Sequence, residues 1–412
     1  MKVLMFGWEF PPFNMGGLGT ACHGLTKGLC NQDIDVTFVL PKVVGNADIT
    51  SSHVNLIVAE NINIRSLKLR AVDSPICEYV DSASYSDAVR NCLEQSGKTS
   101  QGSVYGKNLF EEVRRFAEKC RLIAMHEDFD VIHAHDWMTY WAGKKAKEAT
   151  GKPLVVHIHA TEFDRTGDHP NQLIYDIERE GFHAADKIIA VSNLTRNRVI
   201  QHYGVHPDKV TVVHNAVEFT TPPPDAIKND DKVVLFLGRI TIQKGPEYFL
   251  HAAKKVLEVD DSVKFVVAGS GDMEPYIVEL AANLGISRNV LFTGFLRGSD
   301  IDRAYRMASL YVMPSVSEPF GITPLEAMRN NTPCLISKNS GVSEVVSHCL
   351  KADFWDIDMM SNMMLATLNY KTLHQSLQEN GKREVYSFNW NEPAAKCVSV
   401  YRDVLNRHYN NR

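Results

Sequence analysis

Two blocks of short, unbroken β-branched runs, each alternating with helical patterns, flank a single proline-rich interruption, and that repetition leaves few folds open. Val3–Phe6, Ile34–Leu40, Val54–Ala59, Val131–His133, Leu154–His157, Ile188–Val191 and Val210–His214 read as strands of the first block. They are continuously apolar rather than alternating, so both strand faces are expected to be buried. Helices are predicted at Ala21–Cys30, Leu109–Ala124, Trp137–Ala149 and Asn193–His202. Buried strands joined through helices make a parallel, doubly wound sheet.

The alternation pauses over Glu218–Lys232, where Pro222-Pro223-Pro224 and Asn229-Asp230-Asp231 favour a stiff, extended linker. It then restarts. Strands are predicted at Val233–Leu237, Lys264–Ala268, Val290–Phe292, Leu310–Met313 and Cys334–Ile336. Helices are predicted at Phe249–Leu257, Pro275–Leu284, Ile301–Met307, Pro324–Arg329 and Val342–Ser347, with terminal helices at Ser361–Tyr370, Leu373–Tyr386 and Glu392–His408. A chain of 412 residues also exceeds the ~250–300 that one core sustains. The division is therefore 1–217 and 233–385, two Rossmann-like α/β domains, with linker 218–232 and a C-terminal helical segment 386–412 packing back on the first domain. Polar Asp81–Ser103 reads as a loop or insertion.

A net charge of −5 excludes a global basic footprint for nucleic acid. The eight cysteines include no C-x-x-C pair, and the opening apolar run is too short for a signal peptide. A reduced, cytoplasmic protein is expected. The lysines Lys144, Lys145, Lys147 and Lys152 read as a solvated helix face, with contact to an anionic membrane as the alternative.

Ligands of doubly wound sheets bind beyond the C-terminal strand ends where strand order reverses. Four groups of residues fall at such ends. Gly16-Gly17-Leu18-Gly19 follows the first strand; glycines admit close backbone approach and a helix start offers N–H groups to an anion, though a plain turn reads the same way. Arg239 and Lys244, five residues apart between Gly238 and Gly245, can close on a diphosphate. Glu318 and Glu326 flank Phe320-Gly321-Ile322, eight positions apart. Thr323-Pro324-Leu325-Glu326 also reads as a capping box, which gives Glu326 a structural alternative that Glu318 lacks. Finally, His133 and His135 lie on one strand and His157 and His159 on the next. Each pair shares a face, but no third ligand set is evident, so buried, hydrogen-bonded histidines are expected and no metal. His159, nearest the strand end, is the candidate facing the cleft.

With these residues in view, nearly the whole chain resembles family 4 retaining glycosyltransferases of GT-B fold. Glu318 to Glu326 matches the family's E-x7-E signature in its P-F-G context, Gly238-Arg239 with Lys244-Gly245 the diphosphate clamp, and Gly16 to Gly19 the N-terminal glycine loop. Gly7-Trp8-Glu9-Phe10-Pro11-Pro12 and His135-Asp136-Trp137 resemble glycogen and starch synthases, although Asn14 stands where bacterial glycogen synthases carry a lysine. The resemblance implies that Arg239 and Lys244 neutralise the diphosphate without a metal cofactor, that Glu318 binds the sugar hydroxyls, and that Glu326 holds the ribose. It implies that Gly17 approaches the phosphate and that His159 lies against the sugar ring. Gly16, Leu18, Gly269, Phe320, Gly321 and Ile322 complete the expected donor site.

The function implied is hexosyl transfer from a nucleotide sugar, UDP- or ADP-glucose first, to a glycan acceptor, as in α-1,4-glucan elongation. The alternative within the class is transfer onto a surface polysaccharide or glycolipid. A metal-dependent hydrolase using the four histidines and a non-catalytic nucleotide-sugar-binding protein are the alternatives outside it.

Overall fold

The computed structural model describes residues 1–11, 16–41, 55–58, 109–219 and 231–410, with side chains throughout except at 55–58. Pro222-Pro223-Pro224, Asp81–Ser103, Asn14 and the ends of the expected strand Val54–Ala59 lie outside the described residues.

Two parallel sheets carry the fold. The first comprises β1 (Lys2–Phe6), β2 (Asp35–Leu40), β3 (Asn55–Val58), β4 (Val131–His135), β5 (Leu154–Ile158), β6 (Lys187–Ala190) and β7 (Val210–Val212), in the order β3-β2-β1-β4-β5-β6-β7. The second comprises β8 (Val233–Leu237), β9 (Lys264–Ala268), β10 (Val290–Gly294), β11 (Leu310–Met313), β12 (Cys334–Ser337) and β13 (Leu350–Ala352), in the order β10-β9-β8-β11-β12-β13. Strand order reverses between β1 and β4 in one sheet and between β8 and β11 in the other, so each sheet has one crevice suited to a ligand. β4 and β5 are buried along their whole length, as unbroken apolar runs require.

The C-terminal helix Asn391–Asn410 returns to the first sheet and packs on helix Gly17–Cys30. Trp390, Ala394, Cys397 and Tyr401 enter the core beside Met5, Leu25 and Phe38. Small residues make this possible. A Cβ on Gly24 would fall 2.2 Å from the Trp390 ring, and one on Gly28 would fall 2.4 Å from the Trp390 carbonyl oxygen.

The structure departs from the sequence reading in several places. Helix Gly17–Cys30 begins four residues early, so the glycine loop is its cap and first turn. Helix Gln172–Ala184 went unread, although Ile174, Ile177, Gly181 and Phe182 have helical spacing and Asn171 caps it by accepting from the Leu173 and Ile174 N–H groups. The short edge strand β13 also went unread. In place of the expected helix Val342–Ser347 the chain forms one short 3-10 helix, Gly341–Glu344. There the backbone is pressed against the first domain: a Cβ on Gly341 would meet Ser192 at 2.5 Å.

Candidate active site

The loops after β8 and β11 bring the expected donor-half residues together. Beyond β8 the chain makes a tight turn, Ile242–Lys244, and leaves it through Gly245 at φ 65°. A Cβ there would lie 2.3 Å from the Pro314 carbonyl oxygen, so glycine is what lets this loop press against the end of β11. The buried Gln243 carbonyl accepts from the Val316 N–H at 2.9 Å, and its side-chain oxygen accepts from Arg239 at 3.4 Å. Lys244 Nζ then donates to Glu318 Oε2 at 2.5 Å, and Ser315 Oγ donates to the same oxygen at 3.3 Å. Glu318 is 6% exposed. Its backbone is fixed from both sides, its N–H donating to Asn339 O and its carbonyl accepting from Gly341 N–H. A cation and a carboxylate, one expected on the phosphates and the other on the sugar, thus meet directly where strand order reverses.

The neighbouring residues divide into those at this centre and those that brace it. Gly321, at φ 96°, passes close to Glu318, with 3.0 Å between a Cβ there and Glu318 Cγ. The Phe320 ring is 2% exposed within the second domain's core, which leaves its backbone as the group available for the expected donor contact. Ile322 caps helix Thr323–Arg329 and packs partly buried. Gly269, at φ 143°, has a structural reason of its own: a Cβ would fall 1.8 Å from Gly238 O.

The capping box is not formed. The cap is Ile322, and the Thr323 hydroxyl accepts from Tyr311 at 2.8 Å. Glu326 accepts instead from the Tyr305 hydroxyl at 3.1 Å. Burial raises the Glu326 carboxyl above its ordinary range, with Arg329 opposing.

On the first sheet, positioning runs through the backbone. Asp136, directly after β4 and fully buried, sits at φ 58°, a conformation that costs a side-chain-bearing residue of order 1–3 kcal/mol. Its carboxylate accepts from the His159 N–H at 2.8 Å and so fixes the start of the loop after β5. Burial lowers the His159 imidazole, which favours its neutral form. Gly17 is exposed, with nothing within 4 Å of an added Cβ, and Gly16 is extended ahead of it. Buried Glu9 accepts from Gly19 N–H at 3.4 Å.

Side chains also clasp the two halves together. Ser317 Oγ donates to Asp164 Oδ1 at 2.6 Å, both groups buried. Glu344 accepts from the Asn193 and Leu194 N–H groups at 2.9 and 2.8 Å, at the start of helix Asn193–Tyr203, and meets His214 at 3.0 Å. Asp136, Asp164, Ser317 and Glu344 were all missed as positioning residues; the only signal was Asp136 in the His-Asp-Trp triplet. Three of the four lysines of the basic run are paired: Lys144 with Glu180 at 2.6 Å, Lys145 with Glu118, and Lys147 with Asp186 at 2.8 Å. Among the described residues no helix is long and apolar enough to cross a membrane.

The two histidine pairs form one cluster. β4 and β5 run in register with His135 opposite His157, so all these rings share a face. His133 and His135 stack with centroids 4.3 Å apart, and His157 and His159 at 4.4 Å.

Two parallel α/β sheets, the second with a cation–carboxylate contact at its reversal point, define the architecture. Comparison with known proteins makes the class specific. Residues 99–220 match the model of Glycosyltransferase Family 4, and residues 218–384 that of Glycosyl transferases group 1. The chain is 29% identical to an uncharacterised glycosyltransferase of Methanocaldococcus jannaschii, covering 98% of this chain and 99% of that one. It is 30% identical to a D-inositol 3-phosphate glycosyltransferase of Catenulispora acidiphila, over 68% of this chain and 73% of that one. A glycogen synthase of Mycobacterium tuberculosis is 24% identical over 84% and 80%. Among solved structures, sucrose-phosphate synthase from Thermosynechococcus elongatus superposes with TM-score 0.77 at 18% identity, covering 98% and 99%. HepE of Anabaena, in complex with UDP-glucose, superposes with TM-score 0.69 at 19% identity, covering 97% and 100%. The chain belongs to family 4 of the glycosyltransferases, has the GT-B fold and is glycogen synthase-like.

Proposed function

We propose that this glycosyltransferase moves a hexosyl group from a nucleoside diphosphate sugar, with UDP- or ADP-glucose the first candidates, to a glycan hydroxyl with retention at the anomeric carbon. The observation that carries the reading is the Lys244–Glu318 contact at 2.5 Å, at the reversal point of the second sheet. Arg239 and Lys244 take the diphosphate, Glu318 the sugar hydroxyls, Glu326 the ribose, and the Gly16, Gly17 and Leu18 backbone approaches the phosphate from the opposite domain. His159 lies beside the ring.

In the reaction the bond from the anomeric carbon to the β-phosphate oxygen breaks through an oxocarbenium-like species. The acceptor oxygen bonds to that carbon on the same face, and its proton passes to the departing phosphate oxygen. Charge accumulates on the diphosphate, so fixed cations in a water-poor gap stabilise the transition state more than the ground state. Two cations there supply the charge that a divalent metal would otherwise supply.

The match to a glycogen synthase supports an α-glucan acceptor; the match to an inositol phosphate glycosyltransferase supports a small phosphorylated polyol. A donor panel of UDP-, ADP- and GDP-sugars, each tested with glycogen, a polyprenyl phosphate and inositol 3-phosphate, is read by nucleoside diphosphate release. Release that depends on both donor and acceptor is expected. Donor binding with no acceptor-dependent release would overturn the reading in favour of a non-catalytic binding protein.

A further inference from the structure

The histidine cluster beneath β4 and β5 is chemically unusual for a protein interior. His133, His135 and His157 are at most 2% exposed. His133 Nε2, His135 Nε2 and both ring nitrogens of His157 have no hydrogen-bond partner. Each such buried group costs about 1–3 kcal/mol if left unsatisfied, and four of them would weigh heavily on a domain of ordinary stability.

The other nitrogens are arranged in a telling way. His133 Nδ1 lies 2.7 Å from the Tyr401 hydroxyl, and His135 Nδ1 lies 3.0 Å from His159 Nε2. In both rings, therefore, Nδ1 is held by a partner and Nε2 is bare. Imidazoles that ligate metals have this asymmetry, since the bond at one nitrogen fixes the tautomer and leaves a lone pair on the other. Ligating atoms of His133, His135 and His157 lie within 4.8 Å of one another. A second trio, Cys22, His135 and His159, meets the same limit and shares His135.

We propose that His133, His135 and His157 bind one borderline-soft divalent cation of the Zn²⁺ class through their bare ring nitrogens, with Tyr401 and His159 orienting the first two. Three neutral imidazoles suit such an ion and not Mg²⁺ or Ca²⁺, which take oxygen ligands. The site would staple β4 to β5. Through Tyr401 it would also tie the C-terminal helix to the first sheet, and through His135 it would reach His159.

The test uses the full-length chain without a histidine tag. The protein is stripped with a chelator under mild denaturation, refolded with or without ZnCl₂, passed over chelating resin and assayed for zinc by mass spectrometry. About one equivalent per chain is expected, with a raised unfolding temperature, and Co²⁺ in place of Zn²⁺ should give the intense visible absorption of a low-coordinate ion held by three nitrogens rather than the weak bands of an octahedral one. Tyr401→Phe, which keeps the packing, should weaken zinc binding roughly tenfold, as loss of an outer-shell partner does. Wild-type protein that retains less than about a tenth of an equivalent, or Co²⁺ spectra of octahedral oxygen ligation, would overturn the proposal. So would zinc retention undiminished in His133→Gln/His157→Gln. Because stoichiometry is read without substrate, the result stands apart from the glycosyl-transfer reading.

Discussion

The ends of the two sheets place their polar groups by opposite means. Beyond β8 and β11 the candidate groups are charged side chains on short loops, and they hold one another: Lys244 on Glu318, Arg239 on Gln243. Beyond β4 and β5 they are backbone groups and neutral rings, held by a buried Asp136 in a strained conformation. The first arrangement suits a ligand that brings its own charge, since the diphosphate can displace carboxylate from lysine. The second suits fixed geometry, because nothing in it needs to move for a substrate to enter. On the proposed reading, the difference teaches that donor recognition would be electrostatic and local, whereas the acceptor side would depend on how two strands are registered and how the two halves are clasped.

Removing a donor-side cation gives the largest expected effect. Lys244→Ala should lower kcat/KM by about 10²–10³, the scale of losing one preorganised charge from a dry site. Initial rates at subsaturating donor check this, and activity within a few-fold of wild type would break the contrast. Asp136→Ala comes next: kcat should fall roughly 10- to 100-fold, as for a lost charge-assisted hydrogen bond, with donor KM little changed. Asp136→Asn keeps an acceptor for the His159 N–H and should recover much of the loss, which a merely destabilising change would not show. Ser317→Ala, which removes the hydroxyl from buried Asp164, should loosen the clasp and raise donor KM several-fold, for about 1 kcal/mol.

A further effect falls on stability rather than on rate. Burial raises Glu178 from its ordinary 4.5 to about 7, with Arg165 opposing. The folded chain therefore keeps a proton that the unfolded chain releases, so this group's contribution to stability declines as pH rises from about 4.5 to about 7 and is level above. Glu178→Gln should flatten that slope in unfolding midpoints taken across the window; an unchanged slope would assign it to other groups.

The same contrast explains what the sequence could disclose. Arg239 and Lys244 stand out in the sequence because charge between glycines at a strand end has few structural uses, and Glu318 because no capping role accounts for it; the structure brings Lys244 and Glu318 into contact. Glu326 was legible only in part, since Thr323-Pro324-Leu325-Glu326 carries the letters of a capping box that the fold does not make; Tyr311 claims the Thr323 hydroxyl first. The motif at Phe320 says nothing of which way the ring turns; here it turns into the core and leaves the backbone for any ligand. On the first sheet, the union of His133, His135 and His157 depends on the register of β4 against β5, which no local pattern states. Asp164 with Ser317 pairs residues 153 positions apart, beyond any spacing argument.

The most direct test of the central claim is the anomeric configuration of the product. Purified protein, an α-linked nucleotide sugar and its acceptor are followed by proton NMR from the first turnover. The account predicts an α-linked product appearing in step with free nucleoside diphosphate. A β-linked product, or free sugar in place of a glycoside, would contradict it.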